Sequence, residues 1–331
     1  MAIFSMGEVI KRSRHMLGIT QEDLSDGICT PGGLSRIENG NREPSHAKFV
    51  ALMQRLGQWD DSYDLFVGDA YYEIADMQNE IRNYITQRDF EKAKRLLDTY
   101  EEKIGVDNPE QIYKQFLLME RLICNDEGII KKEHIRDLQQ ILQITVPKYD
   151  QKDIHQLLLN NQEIMIINNI AIAYAENGMR PQAIHLWKEL DRFLEERFMN
   201  CRERMYLRAP ILLNLIKYLG LEGRYSEGIE LADRAIRQLT AYGKTLFVPE
   251  IHFDIAWMLM QKGKVKYREQ IMDEFLQSCY GRISHRQYES AQFIIDYIKR
   301  NAPELAEDVR VLHCEEVLYR QIKLDYQKLD L

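Results

Sequence analysis

Proline and glycine are scarce in this chain, at 8 and 17 of 331 residues. Both break helices, so their scarcity leaves room for long uninterrupted ones. Long apolar runs are missing as well. The run Ile164–Ile167 is followed at once by Asn168 and Asn169, and no stretch approaches the roughly 20 residues of a membrane-spanning helix. The opening segment MAIFSMGEVIKRSR carries Glu8, Lys11, Arg12 and Arg14 and no small-residue cleavage site behind an apolar run. It therefore reads as lacking a secretion signal, and a cytoplasmic protein with no membrane partner is expected. The five cysteines (Cys29, Cys124, Cys201, Cys279, Cys314) are far apart with no CxxC pair, and the eight histidines form no HExxH-like cluster. Reduced, mostly buried cysteines and no metal or cofactor are the expectation. An excess of positive charge is also absent: 44 Lys and Arg face 52 Asp and Glu, a net charge of −8. That excludes a protein basic over its whole surface, such as a histone-like DNA coat, and leaves room for a local DNA-binding module. What is present, 45% apolar and 29% charged residues, argues against disorder. The length suits two domains or one repeat array.

Residues 6–57 read as short helices with tight turns. Met6–Leu17 places Val9, Ile10 and Leu17 opposite Lys11, Arg12 and Arg14, and Gly18 ends it. Thr20 caps a second helix over Gln21–Asp26, closed by Gly27. Thr30 caps a third, with Pro31 at its first position, running to Asn39 before Gly40. Pro44-Ser45 opens a fourth, carrying Phe49, Leu52, Met53 and Leu56 and ended by Gly57. Two short helices joined by a tight turn and braced on both sides form the helix-turn-helix plan.

The segment TQEDLSDGICTPGGLSRIENGNREPS resembles the family of the lambda-type repressors in its Thr-Gln … Leu … Leu-Ser-Arg-Ile-Glu-Asn-Gly … Pro-Ser skeleton. The resemblance implies that Gln21 bonds a phosphate and braces the base-reading residues. It also implies that the third helix enters the major groove with Thr30, Pro31, Gly32 and Gly33 first and Ser35 and Arg36 in the next turn. Pro31 and Gly32 cannot make bidentate base contacts, a departure from members with Gln or Ser there. Readout is therefore expected to lean on Arg36, Thr30, close backbone approach and DNA shape. Asn39, Asn41 and Arg42 follow the helix and suit phosphate contacts. Leu24, Leu34 and Ile37 read as core, Glu38 as an internal structural partner, and Lys48 and Arg55 as solvated charges.

Residues 1–57 hold seven Lys or Arg and six Asp or Glu, so this module carries +1 and the remainder −9. One such module offers few phosphate contacts, which implies a dimer, or a higher homo-oligomer, on a two-fold related double-stranded site.

After a connecting segment at 58–70, the chain reads as helical almost to its end. NNIAIAYAENGMRPQAIHLWKEL carries one stripe at Ile167, Ile170, Ala171 and Tyr174, a turn at Gly178, and a returning stripe at Ala183, Trp187 and Leu190. This is the tetratricopeptide pattern of two antiparallel helices meeting at small residues. It recurs at NLIKYLGLEGRYSEGIELADRAI, DIAWMLMQKGKVKYREQIMDEFL and NEIRNYITQRDFEKAKRLLDTYEEKI, and more weakly between Pro109 and Leu142. About five repeats are expected over 71–285, with capping helices over 286–331. The fold class is all-α: a helix-turn-helix domain at 1–57 followed by a tetratricopeptide-like, right-handed helical solenoid.

Aligned on the turn, with Arg88 standing for Gly in the earliest copy, Asn79, Asn169, Asn214 and Asp254 share one register position. An Asn amide can bond both the NH and the C=O of an extended peptide. Such a row can hold a short linear peptide regardless of its side chains; the competing role is to satisfy neighbouring helix ends. Lys217, one turn beyond Asn214, and Arg208 are candidates for a peptide carboxylate. Phe253, Trp257 and Met260 flank Asp254 and read more as core than as pocket.

A repressor-type helix-turn-helix followed by some 260 residues of such repeats resembles the peptide-pheromone-responsive transcriptional regulators of Gram-positive bacteria, the Rgg, NprR, PlcR and PrgX type. In residues the resemblance is strongest in GICTPGGLSRIENG and in NNIAIAYAENG. It implies a cytoplasmic quorum-sensing regulator, dimeric on promoter DNA and controlled by a short signalling peptide on the concave face of its repeats. A regulator whose repeats bind a protein partner is the alternative. No nucleophile, carboxylate pair or phosphate loop points to an enzyme.

Overall fold

The computed structural model describes residues 5–58, 69–105, 110–149 and 154–329. Most of the expected connecting segment at 58–70 lies outside these residues. All regular structure among the described residues is helical. The chain divides into two compact units, Met1–Leu207 and Arg208–Leu331.

The first unit opens with α1 (Met6–Met16), capped by Ser5, and α2 (Gln21–Ser25), α3 (Pro31–Glu38) and α4 (His46–Arg55) start at the expected caps. The Thr20 hydroxyl accepts from the Asp23 N–H at 3.0 Å and the Thr30 hydroxyl from the Gly33 N–H at 3.1 Å, with Pro31 at the first helical position. Ile10, Leu24, Leu34, Phe49, Leu52 and Met53 close one core.

The same unit continues with α5 (Asp69–Thr86), α6 (Phe90–Ile104), α7 (Gln111–Asn125), α8 (His134–Gln143), α9 (Asn161–Glu176) and α10 (Arg180–Glu196), each packed on the next. Ala93, Ala171 and Ala183 are fully buried where helices meet. Arg88 adopts φ 60°, in the same left-handed region as Gly178 at φ 77°. The hairpin turn read at Arg88 is therefore real, although it lacks the residue that takes this conformation without strain.

The helix that crosses the boundary is α11 (Cys201–Leu221). The second unit adds α12 (Tyr225–Ala241), α13 (Val248–Gly263), α14 (Arg268–Ser284), α15 (Tyr288–Asn301), α16 (Pro303–Ala306) and α17 (Val309–Leu329). The hairpin at Gly223 (φ 74°) follows the repeat pattern. The copy aligned on Gly263 does not. Gly263 ends α13 at φ 153°, and residues 264–267 make the turn instead. At the end of the unit, α17 packs on both α14 and α15.

Arg55 is not a solvated charge. It is 3% exposed, and its guanidinium donates to the carbonyls of Asp26 at 2.5 Å and Thr145 at 2.7 Å. It pairs with buried Glu163 at 2.8 Å. Those carbonyls lie just past the C-terminal ends of α2 and α8, where the helix dipole favours a cation. Glu163 sits in the first turn of α9, where the dipole favours an anion, and it closes a capping box with Asn160. Lys48 is also paired, with Glu110 at 2.8 Å, and Ser45 donates to the same carboxylate at 2.7 Å. Arg197 donates to the carbonyls of Leu159 and Gln54.

Two glycines permit this docking. A Cβ on Gly27 would stand 2.0 Å from the Thr145 carbonyl oxygen, and one on Gly57 1.8 Å from that of Phe198, both at positive φ. They are contact points between the first four helices and the repeats, as well as helix terminators. Arg55→Ala leaves Glu163 buried without its cation and is expected to cost about 3–5 kcal/mol in urea unfolding. Arg55→Met with Glu163→Leu should recover much of that loss.

Candidate nucleic-acid interface and ligand-binding residues

The third helix is held by a buried carboxylate. Glu38, 4% exposed, accepts from Arg14 at 2.7 and 2.8 Å and from Gln21 at 2.6 Å. Burial alone would raise the Glu38 carboxyl. The hydrogen bonds from Arg14 and Gln21 outweigh it and hold the group below its ordinary value. Glu38 is thus the internal partner expected of it. The Gln21 amide NH2 is turned inward to this network, so Gln21 ties the start of α2 to the end of α3.

In the first turn of α3, Thr30, Pro31 and Gly32 are exposed, as is Arg36 in its last turn, while Gly33 is buried and Ser35 half-buried. The Thr30 hydroxyl serves as the N-cap acceptor and can still donate outward. Arg36 returns one bond to the Gly32 carbonyl at 3.3 Å, which leaves most of its guanidinium donors to reach beyond the helix. Past the helix, Gly40 at φ 72° turns the chain, and the Asn41 N–H closes on the Arg36 carbonyl at 2.9 Å. This places Asn39, Asn41 and Arg42 as an exposed polar group. The surface extends onto α1, which sequence reasoning left out. Lys11 donates to Asn39 at 3.0 Å, and Ser5, Glu8, Lys11, Arg12, His15 and Asn39 line a shallow depression. The signal was present in the basic face of α1. It is tempered by the Arg12–Glu8 pair at 2.7 Å.

The ligand-binding candidates fall in both units. In the first, Asn79 is exposed on α5 and Asn169 half-buried on α9. The neighbouring Asn168 is the structural amide, 3% exposed, and its carbonyl accepts the Trp187 indole N–H at 2.9 Å. A buried Trp needs such an acceptor, which is the cue for separating the two asparagines.

In the second unit, Asn214 is half-buried and Lys217 exposed on α11, and Asp254 is half-buried on α13. Burial, with Glu250 one turn away, raises the Asp254 carboxyl to about 7, against the opposing pull of Lys217 and Arg282. Asp254 and Lys217 are therefore electrostatic neighbours. Arg208 is a different case: it is 4% exposed and donates to Gln238 at 3.4 Å, so it belongs to the interior. Phe253 joins an aromatic cluster with Phe275, Phe293 and Tyr297. Met260 is core at 5% exposure, and Trp257 is half-buried, edge-on to Tyr225 at 6.2 Å. Among the described residues, no helix is long and apolar enough to cross a membrane.

A raised acid binds its proton more tightly folded than unfolded, so Asp254 makes the fold lose stability as pH rises from about 4 to 7 and lose no more above that. Carbon-detected NMR titration should place its midpoint near 7. Asp254→Asn should flatten this part of the stability profile and stabilise the protein at pH 8.

Comparison with known proteins agrees with this geometry. Residues 10–58 match the helix-turn-helix family model HTH_3. No curated protein matches the chain. Among solved structures, the chain is similar to Bacillus thuringiensis PlcR in complex with the peptide PapR7 and DNA, with a TM-score of 0.56 and 20% identity over 88% of this chain and 98% of that one. It is similar also to the apo form of Bacillus thuringiensis PlcR, with a TM-score of 0.57 and 18% identity over the same shares of the two chains. The likeness runs through the repeats as well as the helix-turn-helix, and the shared fold is all-helical.

Proposed function

We propose that this protein is a cytoplasmic, quorum-sensing transcriptional regulator. It binds a two-fold related site on promoter DNA as a homodimer and is controlled by a short linear signalling peptide bound to its repeats. The observation that carries this reading is the coupling of two features. The base-facing side of α3 is exposed while α4 is clamped, through Arg55 and Glu163, to the start of α9, the helix that bears Asn169. The likeness in fold to PlcR, solved with a peptide and DNA, supports the same pairing of ligands.

In this reading Thr30, Ser35 and Arg36 face the major groove, with Pro31, Gly32 and Gly33 allowing close backbone approach. Asn39, Asn41, Arg42 and Lys11 take phosphates, and Gln21 orients α3 through Glu38. With a module charge of only +1, two modules are needed for specific affinity. Asn169 and Asn214 hold peptide backbone in their respective units. Lys217 offers a cation and Asp254 a carboxyl that changes charge near neutrality, and Asn79 is the outermost candidate. The peptide shifts the DNA-binding equilibrium only by its differential affinity for the two states of the repeats.

Arg36→Ala is expected to weaken specific binding by about 1–3 kcal/mol with the fold intact, measured as the ratio of operator to random-DNA affinity. An unchanged ratio refutes the assignment of Arg36. Asn169→Ala with Asn214→Ala should abolish the response to peptide fractions, read as a thermal shift and as a change in operator affinity, while peptide-free DNA binding persists. A normal response in that double variant refutes the backbone clamp.

A further inference from the structure

The second unit holds a pair of thiols that neither the repeats nor the proposed ligand residues require. Cys279 on α14 and Cys314 on α17 are 35 residues apart in sequence, and their sulfurs stand 3.0 Å apart. Each is 1% exposed, and both are free thiols. The Cys279 sulfur also lies 3.9 Å from the Ala291 carbonyl of α15, so it sits where three helices meet. Tyr280, next to Cys279 in the chain, is 37% exposed, so one neighbour of the pair reaches solvent. Two sulfurs already in contact across packed helices need only a small approach to bond.

We propose that Cys279 and Cys314 form a dithiol–disulfide site that hydrogen peroxide oxidises, tying the capping helix α17 covalently to α14. The contact with Cys314 and burial push the Cys279 thiol up. Either sulfur of the pair can react first, and the two routes are equivalent; in one of them Cys314 is the attacking thiolate. Its thiolate attacks one peroxide oxygen, the O–O bond breaks, and the departing hydroxide takes up the thiol proton as water. This leaves a sulfenic acid. The Cys279 sulfur then attacks the Cys314 sulfur, the S–O bond breaks, and the hydroxyl leaves as a second water with the Cys279 proton. Two thiols give up two electrons and two protons, and one peroxide becomes two waters. The bond closes a 35-residue step between α14 and the end of the chain, which restricts the unfolded ensemble and fixes the cap.

The test uses the full-length protein, treated with hydrogen peroxide, quenched, alkylated after unfolding, and mapped by mass spectrometry. The expected result is the loss of two of the five thiols, a chain lighter by two hydrogens, and a linked peptide joining Cys279 to Cys314. The thermal midpoint should rise by a few degrees and fall back with dithiothreitol. Cys279→Ser or Cys314→Ser should each abolish the linked peptide, and Cys201→Ser should leave it in place. The proposal is overturned if oxidised wild-type protein keeps both thiols, stops at an acid of one sulfur, or links only through Cys201. Because the mapping is made on the wild-type chain, the result stands even if a serine variant folds poorly.

Discussion

The first unit depends on one guanidinium. Arg55 sits just beyond the C-terminal ends of α2 and α8 and against a carboxylate in the first turn of α9. Carbonyls that a helix cannot satisfy internally are thereby satisfied, and a buried cation finds its counter-charge in Glu163. Removing water from two charges is costly, and this geometry offsets the cost by placing each charge where a helix dipole favours it. Because its partners come from both the helix-turn-helix and the repeats, Arg55 joins them mechanically. Gly27 and Gly57 complete the joint by letting backbone approach where any side chain would collide.

A second buried carboxylate organises the exposed polar surface of the helix-turn-helix. Glu38 gathers Arg14 and Gln21, linking α1, α2 and α3 at one point. With that end fixed, the exposed end of α3 carries little bulk: a cap threonine, a proline and glycine. Arg36 is the exposed cation of this helix. The module as a whole carries a charge of only +1.

The repeats show how one register position serves different chemistry in different hairpins. At the aligned sequence position Asn169 and Asn214 carry an amide, whereas Asp254 carries a carboxyl raised to about 7 by burial. A protonated carboxyl offers a donor and an acceptor, as an amide does. Arg208 shows the limit of such reading. A cation near the row in sequence turns inward when its helix rotates it to the core.

Local rules carried much of this far. Helix starts at Thr20, Thr30 and Ser45, the all-helical class, the paired helices and the pairing of small residues all follow from capping, glycine placement and apolar spacing. These are interactions within a few residues of one another, and sequence alone determined them. Sequence failed where partners are distant. Arg55 looked solvated because its partners, Thr145 and Glu163, are about a hundred residues away. Asn168 had no assigned role because its partner, Trp187, is on the next helix. Gly263 looked like Gly178 although it ends α13 at φ 153° and leaves the turn to residues 264–267. Scarce proline and glycine thus decided that the chain is helical. Which charges are buried, which amide faces outward and which thiols touch was decided only by tertiary packing, because burial and pairing depend on neighbours that the chain brings together from far apart.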